Sequence, residues 1–151
     1  FKDFSEELLS IINDKDVEKL IIDIRNNGGG NSSILNSYIN DISNTHINEK
    51  GKLFVITGRR TFSSAILNAI DLKNNTEAIF VGEPTGGKPN HYGEVKKFKL
   101  PNSKIIVAYS TKYFENYSED VKTLMPDKII EIEIHNYING RDPVTKHILN
   151  R

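Results

Sequence analysis

The stretch KLIIDIRNNGGGNSSILNSYINDI, from Lys19 to Ile42, decides the fold of this 151-residue chain. It opens with a short apolar run, Lys19 to Ile24, that is typical of a strand buried on both faces. Three glycines, Gly28 to Gly30, follow after three polar residues, and apolar residues then recur at helical spacing, with Ser32 or Ser33 placed to cap the first turn. The sequence therefore predicts a strand, a glycine turn and a helix in immediate succession.

The same alternation continues along the first half of the chain. Leu53 to Thr57 and Ala78 to Gly82 are further apolar runs, and Ser63 to Leu72 between them has helical periodicity. An amphipathic helix from Phe4 to Ile12 precedes the first strand. Three such alternations, with strands that are apolar on both faces, predict an α/β domain with a largely parallel sheet.

The second half changes character. Val95 to Leu100 and Ile105 to Tyr109 flank a polar turn and predict a β-hairpin. An irregular aromatic stretch from Tyr109 to Met125 comes next, and the strict alternation of Ile129 to Ile134 predicts another strand. A closing helix is expected from Asp142 to Leu149, with Asp142 as its cap and a proline at its first position.

Length and composition limit the classes of function. We expect one unit, residues 1–151, and its start without methionine suggests a piece cut from a longer chain. Twenty basic and twenty acidic side chains cancel, which argues against nucleic acid or an anionic membrane as partner. No apolar run approaches the roughly 20 residues of a spanning helix. The lack of cysteine excludes thiolate metal sites and a cysteine nucleophile.

The glycine turn, Gly28 to Gly30, has two interpretations. Successive N–H groups beside a helix start can form a nest for an anion, including the oxyanion of an acyl-transfer intermediate. Alternatively, the turn only requires the positive φ that glycine tolerates. A dinucleotide-binding fingerprint is a poor match, because Ser33 stands where its third glycine should be.

The segment GEPTGGK, from Gly82 to Lys88, matches the first seven positions of a phosphate-binding loop. That motif also requires a Ser or Thr next, to hold magnesium, and a helix beneath the phosphates. Pro89 occupies the eighth position and no helical pattern follows, so we do not expect nucleotide binding. The loop instead follows a buried strand and can direct the Lys88 amine towards an apolar site, where burial favours a neutral base.

The segment TFSSA places Ser63 and Ser64 between a buried strand and a helix. This is the carboxyl edge of a parallel sheet, where ligand sites of open α/β sheets gather. A serine there can act as a nucleophile if a base takes its proton, and Lys88 or His91 are the candidates. Capping of the helix is the alternative role for these hydroxyls.

The order IIDIRNNGGG, TFSSA, VGEPTGGK, MPD and NYINGRDPV resembles the C-terminal processing peptidases, or tail-specific proteases, over nearly the whole chain. The resemblance implies a serine–lysine dyad, which falls on Ser63 and Lys88 because the family separation of twenty-five positions fits this pair. It implies oxyanion donors at the backbone N–H groups of Ser64 and of Gly29 or Gly30. The implied fold is crotonase-like (ClpP/crotonase), a spiral of ββα units with a mostly parallel central sheet and a β-hairpin.

The resemblance also implies a single catalytic domain that hydrolyses peptide bonds in a peptide or protein substrate, without metal or cofactor. Arg25, Glu83 and His91 have supporting positions, and we expect Arg25 to tie down loop carbonyls or a carboxylate such as Glu83. An extracytoplasmic or cell-envelope location is favoured, and the oligomeric state stays open.

Two alternatives to a peptidase remain. Positions that carry an assisting glutamate or glutamine in some family members hold Ile66 and Tyr92 here, which keeps a non-catalytic peptide- or ligand-binding module in play. Acyl-CoA chemistry of the crotonase type would share the glycine oxyanion site, but the sequence offers no evident acidic pair near it.

Overall fold

A four-stranded parallel sheet forms the centre of the molecule in the computed structural model, which describes residues 1–150. Its strands are β1 (Leu20–Asp23), β2 (Leu53–Thr57), β3 (Ile79–Gly82) and β6 (Lys128–Ile129), and they lie side by side in that order. Every pairing in this sheet is parallel. The prediction of an α/β domain with a largely parallel sheet is confirmed.

Five helices accompany the sheet: α1 (Lys2–Asp14), α2 (Asn36–Ser43), α3 (Ser64–Asn75), α4 (Ile134–Ile138) and α5 (Pro143–Leu149). The start of α2 differs from the expectation that Ser32 or Ser33 caps the helix. A 3₁₀ turn, Ser32–Ile34, comes first, and the Asn31 side chain accepts from the Ser33 N–H. Asparagine is as good a cap as serine, and here it lies one residue before the turn.

Helices cover both faces of the sheet, which explains why β2 is buried at all five of its positions. Val55 packs on one face in the same cluster as Ile66 and Leu72 of α3. On the other face Phe54 lies in a cluster with Ile148 of α5. A strand buried on both sides reads as a continuous apolar run, and this is the pattern that predicted it.

The β-hairpin stands apart from the central sheet. Its strands, β4 (His91–Lys99) and β5 (Ile106–Phe114), pair only with each other in the described residues, and both extend beyond the predicted segments. Most of their residues are exposed. β5 takes in the first part of the stretch that the sequence predicted to be irregular.

The predicted strand at Ile129 to Ile134 is wrong over most of its length. Only Lys128 and Ile129 pair with β3, opposite Val81 and Gly82. The neighbouring strand ends at Gly82, so the following residues have no strand to pair with beyond one bond from the Ile130 N–H to the Gly82 carbonyl. α4 then begins at Ile134.

Arg25, directly after β1, ties the sheet to α5. Its Nε lies 2.9 Å from Asp23 Oδ2 and its Nη2 lies 2.7 Å from Oδ2 of Asp142, the α5 cap. Burial lowers the pKa of Arg25, but its hydrogen bonds with Asp142 and Asp23 outweigh burial and raise it. Burial raises the pKa of Asp142, but hydrogen bonds from Arg25 and Thr145 outweigh it and bring the pKa to about 2.

Replacing Asp142 tests this tie. Asp142 also accepts from the N–H groups of Val144 and Thr145, so Asp142→Ala should lower the free energy of unfolding at pH 7 by about 1–2 kcal/mol. Asp142→Asn keeps an acceptor for the cap and should lose less. Urea denaturation at a series of pH values measures both.

The acid range separates the charge from the cap. The pKa of Asp142 falls from the ordinary 3.8 to about 2 on folding. Its charge therefore contributes stability above pH 3.8 that disappears as the pH falls through about 2. The difference between the native protein and Asp142→Asn should shrink over that interval, and a difference that stays constant down to pH 2 would contradict the assignment.

Candidate functional site

Ser63 occupies an unusual backbone conformation at the turn between β2 and α3. Its φ is 53° and its ψ is −125°, and α3 begins at the next residue. A positive φ is uncommon for a residue other than glycine, and a residue held in a sparsely populated region costs about 1–3 kcal/mol. A serine on a sharp strand-to-helix turn is the arrangement that exposes the nucleophile of many hydrolases.

The glycine turn lies directly against Ser63. A Cβ built on Gly29 would stand 2.7 Å from the Ser63 Cβ and 3.2 Å from its Oγ, and Gly29 itself has a φ of 109°. No other residue type has both the backbone freedom and the absence of a side chain that this approach requires. The fold thus brings together the two segments that the sequence singled out separately.

The buried Thr61 side chain connects these segments. Its Oγ1 donates to the Ile24 carbonyl at 2.9 Å and accepts from the Gly58 N–H at 3.0 Å. The Phe62 N–H donates to the Asn27 carbonyl at 3.1 Å. Sequence reasoning did not assign this bridging role to Thr61, which opens the TFSSA segment four residues after the end of β2.

The backbone N–H groups of Ser64, which follows Ser63, and of Gly30, which follows Gly29, have no hydrogen-bond acceptor within residues 1–150. The Gly29 N–H, in contrast, donates to the Asn27 side chain at 3.0 Å. The N–H groups of Ser64 and Gly30 are thus not engaged within the described residues, whereas that of Gly29 is. Gly29 allows its backbone to lie close to Ser63, while its N–H is bonded to the Asn27 side chain.

The loop that carries Lys88 packs on the nucleophile segment. The Gly86 N–H donates to the Thr61 carbonyl at 2.9 Å. A Cβ on Gly87 would lie 2.6 Å from Cε2 of Phe62, the residue before Ser63. The backbone of Gly87 therefore packs against the ring of Phe62, so the lysine loop and the segment that carries Ser63 are neighbours.

The Lys88 amine itself points to Asp120. Its Nζ lies 3.4 Å from both carboxylate oxygens of Asp120, and both side chains are largely exposed, at 48% and 68%. The expectation that Lys88 turns into an apolar site is not what this conformation shows. Asp120 lies thirty-two residues further along the chain, and no motif in the sequence singled it out.

His91 lies close to the Phe62 ring as well. Its ring centroid is 6.5 Å from that of Phe62 and 6.1 Å from that of Phe114. Its Nδ1 lies 3.0 Å from the Pro89 carbonyl. A carbonyl only accepts, so Nδ1 is the donor in this contact, and Nε2 is the nitrogen that would accept in a neutral ring.

The supporting charges pair differently from the expectation. Arg25 binds Asp23 and Asp142, as described above, and Glu83 instead binds Arg59 Nε at 2.9 Å. Arg25 thus holds a carboxylate, as predicted, but Glu83 is not that partner. The Glu83 carbonyl accepts from the Thr57 hydroxyl at 2.8 Å, which fixes the start of the lysine loop to the end of β2.

An open, largely apolar cavity of about 530 Å³ lies on the glycine side of the site. Gly29, Gly30 and Ser64 line one end, and the remainder includes Phe4 and Tyr38. Burial raises the pKa of Tyr38 to about 12, and its hydroxyl has no hydrogen-bond partner among the described residues. The cavity is of the size and character that hold an apolar group.

Three solved structures with similar folds are named as peptidases or proteases, and another is named only as a lipoprotein from Streptococcus agalactiae. A candidate peptidase from Parabacteroides merdae ATCC 43184 superposes with a TM-score of 0.65 at 18% identity, over 97% of this chain and 56% of that one. The photosystem II D1 C-terminal processing protease gives 0.53 at 19%, over 83% and 38%. A candidate S41 protease from Bacteroides fragilis NCTC 9343 gives 0.51 at 15%, over 91% and 44%.

This chain shares the fold of the S41 peptidases. It spans between 38% and 56% of the lengths of these three structures. No family profile and no curated protein matches the sequence. Within residues 1–150, no helix is both long and apolar enough to cross a membrane.

Replacing Ser63 with glycine tests the strained turn. Both Ser63→Gly and Ser63→Ala remove the hydroxyl, but only glycine adopts a φ of 53° without a Cβ clash. We expect Ser63→Gly to have a free energy of unfolding about 1 kcal/mol or more above that of Ser63→Ala. Paired urea denaturation curves measure the difference, and equal stabilities, or a more stable alanine variant, would contradict strain at this position.

Proposed function

We propose that this chain is the catalytic part of a serine endopeptidase that cleaves peptide bonds through an acyl-enzyme on Ser63, with Lys88 as the general base. One observation carries the proposal: a serine in a costly conformation, pressed against a glycine turn, beside two uncommitted N–H groups and an apolar cavity. A serine that only caps a helix does not require this combination of features. Acyl transfer uses all of them.

The two N–H groups supply electrostatic stabilisation. In the proposed reaction the oxygen of the attacked carbonyl becomes negatively charged and accepts from the N–H groups of Ser64 and Gly30. Such donors act where charge develops in the transition state, and removal of one typically costs about 100- to 1,000-fold in rate. They are backbone groups, so the fold fixes them before substrate binds.

Lys88 reaches the base position by leaving Asp120. An exposed ion pair contributes about 0–1 kcal/mol, and the contact with Asp120 is long as well as exposed, so reorientation of the amine costs little. The close approach of Gly87 to the Phe62 ring supports this step, because it keeps the lysine loop next to the segment that carries Ser63. A bound peptide that excludes water from the site favours the neutral amine that a base requires.

The steps balance with the two side chains and water. Ser63 Oγ attacks the peptide carbonyl as its proton passes to the neutral Lys88 amine. The tetrahedral intermediate collapses, the C–N bond breaks, and Lys88 returns the proton to the leaving amine. A water molecule then gives a proton to Lys88, attacks the acyl carbon and releases Ser63, which recovers its proton from Lys88.

The apolar cavity belongs to the same proposal. It opens beside Gly30 and Ser64, so an apolar side chain of the residue whose carbonyl is attacked fits there. The wider features implied by the family resemblance also stand as proposals: one catalytic domain of a longer protein, a crotonase-like spiral of ββα units, and an extracytoplasmic setting. A peptide or protein is the proposed substrate, as the names of the similar structures favour.

A non-catalytic module of the same fold is the second candidate. The pairing of the Lys88 amine with Asp120 favours it, because an amine held there does not act on Ser63. Ile66 is fully buried and Tyr92 is 70% exposed, so neither offers an obvious third member of a catalytic group. In that case the apolar cavity binds a ligand or peptide without turnover.

Hydrolysis by matched variants separates the two candidates. We expect the native chain to cleave an unfolded protein, and Ser63→Ala and Lys88→Arg to lose about 1,000-fold or more. Arginine keeps the positive charge but cannot take a proton. Asp120→Asn frees the amine and should keep or raise the rate. Peptide release followed by mass spectrometry, with circular dichroism as the control for folding, measures each outcome.

Each result of this assay points to a different conclusion. Absence of turnover in the folded native chain and in Asp120→Asn would support the binding module. Full activity in Lys88→Arg with loss in His91→Ala would move the base to His91, whose Nε2 is available as an acceptor. Full activity in Ser63→Ala would remove the proposed nucleophile.

Neighbouring glycines provide a second test. A Cβ on Gly29 collides with Ser63, whereas a Cβ on Gly28 meets nothing within 4 Å. Gly29→Ala should therefore destabilise the fold by about 1–3 kcal/mol and abolish hydrolysis, while Gly28→Ala stays near the native protein in both. Thermal unfolding and the same peptide-release assay report the two quantities, and equal behaviour of the two variants would refute the close approach.

A further inference from the structure

The two faces of the β4–β5 hairpin differ in charge. Tyr92 pairs with Tyr113 and Lys96 with Tyr109 on one face, and side chains alternate between faces along each strand. The opposite face carries three lysines and no acidic residue. We call it the lysine face, and its members used below are Val95, Lys97, Lys99, Ile106 and Lys112.

The charge of the hairpin is opposite to that of the remainder of the chain. From His91 to Phe114 there are five lysines and one glutamate, a net charge of +4, which leaves 15 basic and 19 acidic side chains elsewhere, a net charge of −4. The charges of the whole chain cancel, so its neutral total conceals a concentrated basic surface. Such a surface attracts an acidic partner.

The lysine face leads to the proposed nucleophile. Lys112 Nζ lies 4.8 Å from the centre of the Phe114 ring, and Phe114 lies 6.1 Å from the His91 ring. His91 in turn lies 6.5 Å from Phe62, the residue before Ser63. Nine-residue strands at about 3.3 Å per residue make a surface roughly 30 Å long. That length suits an extended polypeptide.

The hairpin also has unsatisfied pairing capacity. In the described residues β4 and β5 form a sheet of two strands, so each has one edge without a partner. A free edge accepts an extended chain through backbone hydrogen bonds, with alternate side chains projecting onto one face. Val95 and Ile106 on the lysine face are 60% and 65% exposed and offer apolar contact between the charges.

We propose that the lysine face binds an extended, acidic segment of polypeptide, added at a free edge of the hairpin with its alternate carboxylates on Lys97, Lys99 and Lys112. The binding rests on the proposed function only in that the bound polypeptide is then a substrate, held as it approaches Ser63. Acidic unfolded chains with alternating apolar residues are the class of substrate that this surface selects.

Binding is measured with Ser63→Ala, so that hydrolysis plays no part. The probes are fluorescein-labelled decapeptides of alternating valine and glutamate or alternating valine and glutamine, and a ten-nucleotide oligothymidylate, followed by anisotropy at about 0.15 M salt. We expect the glutamate peptide to bind about tenfold or more tightly than the glutamine peptide and the oligonucleotide. Comparable binding of either control, or no binding of the glutamate peptide, overturns the proposal.

Lys97 and Lys96 give matched variants, because they are adjacent and exposed but lie on opposite faces. Lys97→Glu should weaken the binding of the glutamate peptide about threefold or more, because reversing the charge replaces attraction with repulsion. Lys96→Glu should have less than half that effect, because charges are screened over about 8 Å at this salt concentration. Equal effects of the two variants, with both folded by circular dichroism, overturn the assignment to the lysine face.

A second copy of the chain is the alternative occupant of the lysine face. Light scattering at several protein concentrations detects self-association. If Lys97→Glu abolishes that self-association, the lysine face binds another copy of the chain and not an acidic polypeptide. The proposed function is tested separately. If the native chain binds the glutamate peptide but does not hydrolyse it, this inference stands and the proposed peptidase activity is refuted. If it hydrolyses peptides without preference for acidic ones, the peptidase activity stands and this inference is refuted.

Discussion

A buried hydroxyl, that of Thr61, holds together the two turns from which the site is built. It bridges the Ile24 carbonyl at the end of β1 and the Gly58 N–H at the end of β2. Parallel strands bring their carboxyl ends to one edge, but they do not by themselves fix the separation of the loops that leave it. The threonine bridge does so, and with it Gly29 comes to lie against Ser63.

The sheet and the helices around it were predictable from the sequence because their burial leaves a direct mark on composition. A strand covered on both faces needs apolar residues at nearly every position, as in β2, where only Thr57 at the end is polar. The segment from Ile129 to Ile134 shows the limit. The alternation of apolar and polar residues shows only that this segment, if it were a strand, would have one apolar face. A strand also needs a neighbouring strand to pair with, and β3 ends at Gly82.

The contact between the candidate segments was predictable to the same extent. Ser63, the glycine turn and the lysine loop could be found because each is a local signal in the chain and the segments meet at one sheet edge. The direction of the Lys88 amine could not, since it follows from Asp120, which reaches the loop only in three dimensions. The failure to predict the ion pairs of Arg25 and Glu83 has the same origin. Arg25 pairs with Asp142, and Glu83 pairs with Arg59, through contacts that form only in the folded chain.

The conformation of Ser63 separates what its backbone costs from what its side chain can offer. Glycine adopts a φ of 53° without a Cβ clash, so the turn by itself favours glycine at this position. Alanine would keep the Cβ and therefore the conformational cost, while it would lose the hydroxyl. The expense of this residue thus lies in its main chain, and any benefit must come from a single oxygen atom.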